Sequence, residues 1–265
     1  MKNYNQLHKY WESVELNKLI NEIIEPDDVN ITSIKLNDEL NPLLWENING
    51  EYKLKPDIRK KLLLNAKIFI DFADLSGFKF DDITLTGSMA NFNYSTNSDI
   101  DIHIIMDYNQ ISDDNDFVKE YFGLKKDLWN NNLPIKIFEH DVEIYVQDKN
   151  QEHTSTGVYS IYLDKWLIKP IKKIVNIDAD KLREKSSFFM NEIDKLKDYK
   201  DINNFMKKYS ALKSKIKKYR QTGLDTGGEF SIENLTFKLL RNNGYLDKMN
   251  KLKKDLITNE LSLWI

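Results

Sequence analysis

Cysteine is absent from the 265 residues. Neither a disulfide framework nor a thiolate metal site is therefore available, as expected of a protein in a reducing compartment, with the cytoplasm as the default. Apolar runs are short. None approaches the roughly 18 residues that would span a bilayer, and the first eleven residues are polar rather than signal-like, so no membrane partner is expected. Proline (5) and glycine (9) are scarce, which argues against a disordered or loop-dominated chain.

What is present supports a folded globular protein. Hydrophobic residues make up 41% and aromatics 12%, enough for a core, and the length suits two lobes. The net charge of -3 conceals a polarity. Residues 1–150 carry 16 Lys/Arg against 27 Asp/Glu, and residues 151–265 carry 23 against 15, so the halves are -11 and +8. An acidic metal site in the first half and a surface for anionic partners in the second would explain the asymmetry, as would solvated helix faces.

Periodicity organises the rest. Apolar spacing predicts helices over 5–24, from Pro56 to near Gly77 (Ile58, Leu62, Phe69, Ala73), and, capped by Asp113, through Phe117, Tyr121, Leu124 and Leu128 to Asn130. A short strand is expected over 31–36, followed by connection through 47–50. Strands are expected over 83–86 and 100–106, with a turn or short helix at 88–94 between them. A hairpin is expected from 135–138 and 142–146 around Glu139, His140 and Asp141, with Asp141, Glu143 and Tyr145 on one face. Residues 157–168 are mixed. A boundary at 165/166 separates an α/β lobe, including the N-terminal helical extension, from a helical lobe. That lobe carries Leu182, Phe189, Ile193 and Leu196, then Ile202, Phe205, Tyr209, Leu212, Ile216 and Tyr219, with breaks at Gly223, Gly227 and Gly228. Ser231 caps a last substantial helix with Leu235, Leu239 and Leu240 inward, ending at Gly244.

The chemistry gathers in residues 85–105. Asp99 and Asp101 are two apart, so on a strand both project from one face while Ile100, Ile102 and Ile104 project from the other. Two like charges on a sheet face are costly unless neutralised, and a divalent cation is the simplest partner.

Gly87-Ser88-Met89-Ala90, followed by Ser98-Asp99-Ile100-Asp101-Ile102, resembles the signature of the nucleotidyltransferase superfamily of DNA polymerase beta type and its minimal members. The resemblance covers residues 83–106 closely and 57–147 more loosely. It implies a small mixed sheet flanked by helices, followed by a mostly helical C-terminal lobe with the site in the cleft between them. It also implies transfer of a nucleoside monophosphate from a nucleoside triphosphate, such as ATP, to a hydroxyl with release of pyrophosphate. Gly87 and Ser88 would hold the triphosphate. Asp99 and Asp101 would bind two magnesium ions, with a third carboxylate from a neighbouring strand. Glu143 is preferred over Asp141 because Val142 and Ile144 give it a strand setting. The family's basic and glycine positions after Ala90 are here Asn91, Phe92 and Asn93.

Plainer roles compete. Ser88 can cap a helix, His103 can be a satisfied structural histidine, and His140 and His153 read as turn and surface residues. Ser155, Thr156 and Gly157 read as an ordinary turn before a phosphate nest, and Tyr145 and Trp166 as packing residues. Lys207, Lys208, Lys213, Lys215, Lys217, Lys218 and Arg220 are the best electrostatic footprint for RNA, the acceptor leaned toward, with a solvated helix an equal competitor. A small molecule, a protein hydroxyl or a second nucleotide remains open as acceptor, as do a catalytically inactive binding module and the oligomeric state.

Overall fold

The computed structural model describes residues 23–34, 36–151, 155–172 and 176–262. The protein is a mixed α/β chain, and the described residues group into two compact units, one within residues 35–174 and the other joining residues up to 34 with those from 175 onward. The expected boundary at 165/166 falls inside a sheet strand, as described below. The helix expected over 5–24 lies outside the described residues except for Ile23 and Ile24, as do His8 and His153.

In the sheet unit, β1 (Trp45–Ile48) and β2 (Glu51–Leu54) form a hairpin where connection was expected. Asn49 and Gly50 turn it with φ of 52° and 89°, and two positive φ values give the turn hand that matches strand twist. Among the described residues of 31–36 no strand forms; residues 32–34 make a turn instead.

Helix α1 (Pro56–Phe72) opens on its proline, whose missing N–H costs nothing in a first turn, and it buries Ile58, Leu62, Ala66 and Phe69. The main sheet follows: β3 (Phe80–Thr86), β4 (Ile100–Met106), β5 (Lys136–Ile137), β6 (His140–Asp148), β7 (Val158–Ser160) and β8 (Lys165–Ile168), in spatial order β5-β6-β4-β3-β7-β8. β4 and β6 are parallel and every other pair is antiparallel. A parallel pair needs a crossover, and helix α2 (Asn115–Asn132) supplies it.

α2 corrects two expectations. Its cap is Asp114, which accepts from the Phe117 N–H at 3.0 Å, rather than Asp113. Its buried residues are Val118, Phe122 and Trp129, while Phe117, Leu124 and Leu128 are more than half exposed. Both sets recur at helical spacing, and the partner surface selects between them: Ile100, Ile102 and Ile104 form one core with Val118, Phe122, Trp129, Leu62 and Phe69.

In the helical unit, α3 (Ala179–Asp194), α4 (Ile202–Gly227) and α5 (Ile232–Asn242) bury the expected stripes around Leu182, Phe189, Tyr209, Leu212, Leu235 and Leu239. Val29 joins that core, and the Asn191 side chain bonds both the N–H and the C=O of Ile24 at 2.9 Å, which ties the segment before Ile34 to the helices rather than to the sheet. Gly223 does not end α4. A Cβ there would lie 2.4 Å from the Glu233 Cβ, so this glycine lets α4 approach the start of α5. A further helix, α6 (Tyr245–Leu261), follows Gly244, whose φ of 72° makes it a junction between helices rather than an end. Among the described residues no helix is long and apolar enough to cross a membrane.

Tyr108 fastens the ends of β4 and β6. Its hydroxyl donates to the Val146 carbonyl at 2.7 Å, its N–H donates to Asp148 at 2.9 Å, and burial, with the Asp148 charge, pushes its phenol up to about 12. The folded state then keeps this proton where the unfolded chain loses it, so the contribution is complete below pH 10 and vanishes as pH rises through 12. At pH 8, Tyr108→Phe should be about 1 kcal/mol less stable through the lost hydrogen bond, and urea unfolding from pH 8 upward should show that gap narrowing across this window.

Candidate functional site

The site lies where β3 passes into β4. Leu85 and Thr86 end β3 inside the sheet, and Gly87 then turns the chain with φ 72° and ψ -160°. Ser88–Ala90 forms a single 3-10 turn rather than a helix, so Ser88 offers a hydroxyl and a backbone amide without a long aligned dipole behind them. The return strand pairs Thr86 with Asp101, which carries the aspartate directly across from the turn. A Cβ on Gly87 would lie 2.1 Å from Asp101 Oδ2. Only glycine lets the turn backbone and this carboxylate share the space.

β6 brings the third carboxylate. Asp101 and Glu143 are partners across the parallel β4–β6 pair, about 4.8 Å apart at the backbone, with Ile102 and Ile144 buried on the opposite face. Asp99 stands just before β4, two residues from Asp101. The three charges meet at Tyr145: burial first, then Asp101, Glu143 and Asp99, push its hydroxyl above the ordinary tyrosine range. That hydroxyl donates to the Glu143 carboxylate. Lys126 on α2 reaches the same carboxylate at 3.5 Å and lies 4.0 Å from the centre of the Tyr145 ring. Tyr145 is thus more than the packing residue expected.

The donors available are carboxylate oxygens, the set suited to a hard cation such as magnesium, and the missing Cβ at Gly87 leaves room for Asp101 Oδ2 against the turn backbone. Among the described residues, however, no three His, Cys, Asp or Glu side chains are gathered as ready metal ligands. Glu143 is engaged by Tyr145 and Lys126 instead. Asp141, the other candidate, pairs with Lys136 at 3.3 Å on the hairpin and half exposes its side chain.

Residues that the sequence left aside hold this turn. Asn91 is buried, donates to the Gly87 carbonyl at 3.1 Å and accepts from the Thr156 hydroxyl at 3.1 Å. The departure at Asn91 is therefore a brace across the turn. Gly157 packs against it, with a Cβ there 2.2 Å from the Ala90 carbonyl, and the Ser155 hydroxyl donates to the Gly157 carbonyl at 2.9 Å. Trp45 donates from its indole to the Met89 carbonyl at 2.8 Å while stacking on Trp166 at 4.7 Å. His140 is neither a turn nor a surface residue. It starts β6, is buried, and lies 2.8 Å from the Ser98 carbonyl, fixing the residue before Asp99. Ser98 Oγ in turn accepts from Ser88 Oγ at 2.9 Å and from the Ser95 N–H at 2.9 Å, so both ends of the loop are tied at one hydroxyl. His103 sits 2.6 Å from the Gln147 side chain, in the structural role expected.

No family model matches the chain, and neither does any curated protein sequence. Among solved structures it is similar to a STING-associated CdnE c-di-GMP synthase from Capnocytophaga granulosa, at 12% identity over 78% of this chain and 84% of that one, with a TM-score of 0.22. A likeness at this level carries no functional weight.

Gly87→Ala combines a positive φ with a direct clash on Asp101. It should destabilise the protein by about 1–3 kcal/mol in denaturant unfolding, and a second substitution, Asp101→Ala, should recover part of that loss by clearing the space.

Proposed function

We propose that the chain is a magnesium-dependent nucleotidyltransferase, moving a nucleoside monophosphate from a nucleoside triphosphate to an acceptor hydroxyl with release of pyrophosphate. The observation that carries this reading is the register that sets Asp101 against Gly87 on one side and beside Glu143 on the other. Ser88 and the Gly87 backbone would bind the triphosphate through amide and hydroxyl, and Asn91 and Trp45 hold that backbone rigid. Asp99, Asp101 and Glu143 would hold the metal, and Glu143, 3.5 Å from the Lys126 ammonium, is the group suited to take the acceptor proton once that contact is exchanged. When bound, magnesium neutralises triphosphate charge and lowers the pKa of the attacking hydroxyl. Tyr145 and Lys126 orient Glu143.

For the acceptor we favour RNA, such as a tRNA-like 3' end. Lys207, Lys208, Lys213, Lys215, Lys217, Lys218 and Arg220 are all exposed on α4, while Tyr209, Leu212 and Ile216 face the core. A second reading, a nucleotide- or RNA-binding module without catalysis, is favoured by the engagement of Glu143 with Lys126 and Tyr145.

Incubation with each labelled nucleoside triphosphate, magnesium and total RNA decides between the two. Metal-dependent label transfer or pyrophosphate release is expected, and Asp99→Ala/Asp101→Ala should lower it at least about hundredfold, since even outer partners of metal ligands are worth 10–100-fold. Failure of all four nucleotides across RNA, protein and small-molecule acceptors would leave the binding module. On the RNA side, each α4 lysine that meets a phosphate should, when changed to glutamine, reduce the slope of log affinity against log salt by about 0.7–0.9. An unchanged slope in a filter-binding titration would mark the helix as merely solvated.

A further inference from the structure

A pocket of about 330 Å³ opens farther along the face that carries Asp101 and Glu143, between α2 and the β4–β6 pair. His103, Tyr145 and Gln147 form its floor, continuing the alternate positions of the two strands, and Lys119, Gly123 and Lys126 line it from α2.

Gly123 is the informative residue. It lies inside an 18-residue helix, where glycine is the poorest choice after proline. Its φ is not positive, and a Cβ there would meet nothing within 4 Å. Neither backbone geometry nor packing calls for glycine here, in contrast to Gly87, Gly157 and Gly223, where a Cβ would collide. What its missing side chain provides is room in the pocket.

Lys119 and Lys126 flank that room. Seven residues are two helical turns, about 10 Å along the axis, so Lys119, Gly123 and Lys126 share one helix face, with the Lys126 ammonium 4.0 Å from the centre of the Tyr145 ring and 3.5 Å from Glu143. Two ammonium groups around bare backbone suit a compact oxyanion, and lysine binds phosphate as a point charge. Asp127 lies on the same rim, so the pocket carries two lysines against one carboxylate. The polar floor is already satisfied by the His103–Gln147 contact and by donation from Gln147 Nε2 to the Gln151 carbonyl at 3.1 Å. With the Phe122 ring beside it, this floor presents flat surface rather than open donors.

We infer that this pocket binds a small phosphomonoester, with the phosphate over Gly123 between Lys119 and Lys126 and the body of the molecule on the His103–Tyr145 floor. The site is separate from the Gly87–Ser88 turn but shares Lys126 and Tyr145 with the surroundings of Glu143, so a bound phosphate competes with Glu143 for the Lys126 ammonium.

Isothermal titration of the full chain, without any nucleoside triphosphate, tests it with adenosine 5'-monophosphate and ribose 5-phosphate, and with adenosine as the uncharged control. At least one phosphorylated probe should bind, and adenosine should bind about tenfold more weakly or not at all. Lys119→Gln should weaken the phosphorylated probe by about tenfold, the worth of one charge-assisted contact. Gly123→Leu should abolish binding while leaving the melting temperature unchanged or raised, because leucine is the better helix former. Both substitutions lie away from Glu143 and the aspartates, so the transfer assay reports separately. The inference is overturned if neither phosphorylated probe binds at millimolar concentration, if both variants bind as the wild type does, or if binding is lost only on Ser88→Ala or Asp101→Asn.

Discussion

The contact on which this site depends is the approach of the Asp101 carboxylate to the backbone of Gly87. It requires a residue without a Cβ, a positive φ, and antiparallel pairing of Thr86 with Asp101, and that pairing would be lost with a one-residue slip of β4. Such a slip would also turn Ile100, Ile102 and Ile104 out of the core. The burial of three isoleucines thus holds the acidic residues in place. Hydrophobic energy spent on one face of β4 positions charge on the other.

Around that contact the chain builds a rigid frame from distant pieces. Trp45 and Asn91 grip the turn, His140 and Ser98 fix the approach to Asp99, and the parallel β4–β6 register delivers Glu143 beside Asp101. The Glu143 carboxylate is shared with Tyr145 and Lys126, so the most acidic part of the sheet is partly neutralised from α2. Gathering like charges on a half-buried face costs free energy unless a cation is near, and the ammonium of Lys126 supplies one. The same helix lines the adjoining pocket through Lys119, Gly123 and Lys126.

Several features were legible in the residues because they depend on neighbours in the chain. Strand alternation around Asp99 and Asp101, proline at the start of α1 and the serine cap of α5 are of this kind. The phase of α2 was not legible. Phe117, Leu124 and Leu128 recur at helical spacing as well as Val118, Phe122 and Trp129 do, and nothing in a single helix says which stripe meets a sheet. The β1–β2 hairpin could have been found from Asn49-Gly50, whose preference for positive φ is local. The role of His140 could not, since its partner is the Ser98 carbonyl, 42 residues away.

The sequence by itself therefore determined the fold class and singled out the stretch of the candidate site, because periodicity and the spacing of Gly87, Ser88, Asp99 and Asp101 are properties of short segments. The tertiary structure decided what surrounds that stretch: Asn91 as a brace, Lys126 and Tyr145 on Glu143, the grouping of residues before Ile34 with the helices, and the open space at Gly123. Each of these is a meeting of residues far apart in the chain, set by sheet register and helix packing rather than by local preference.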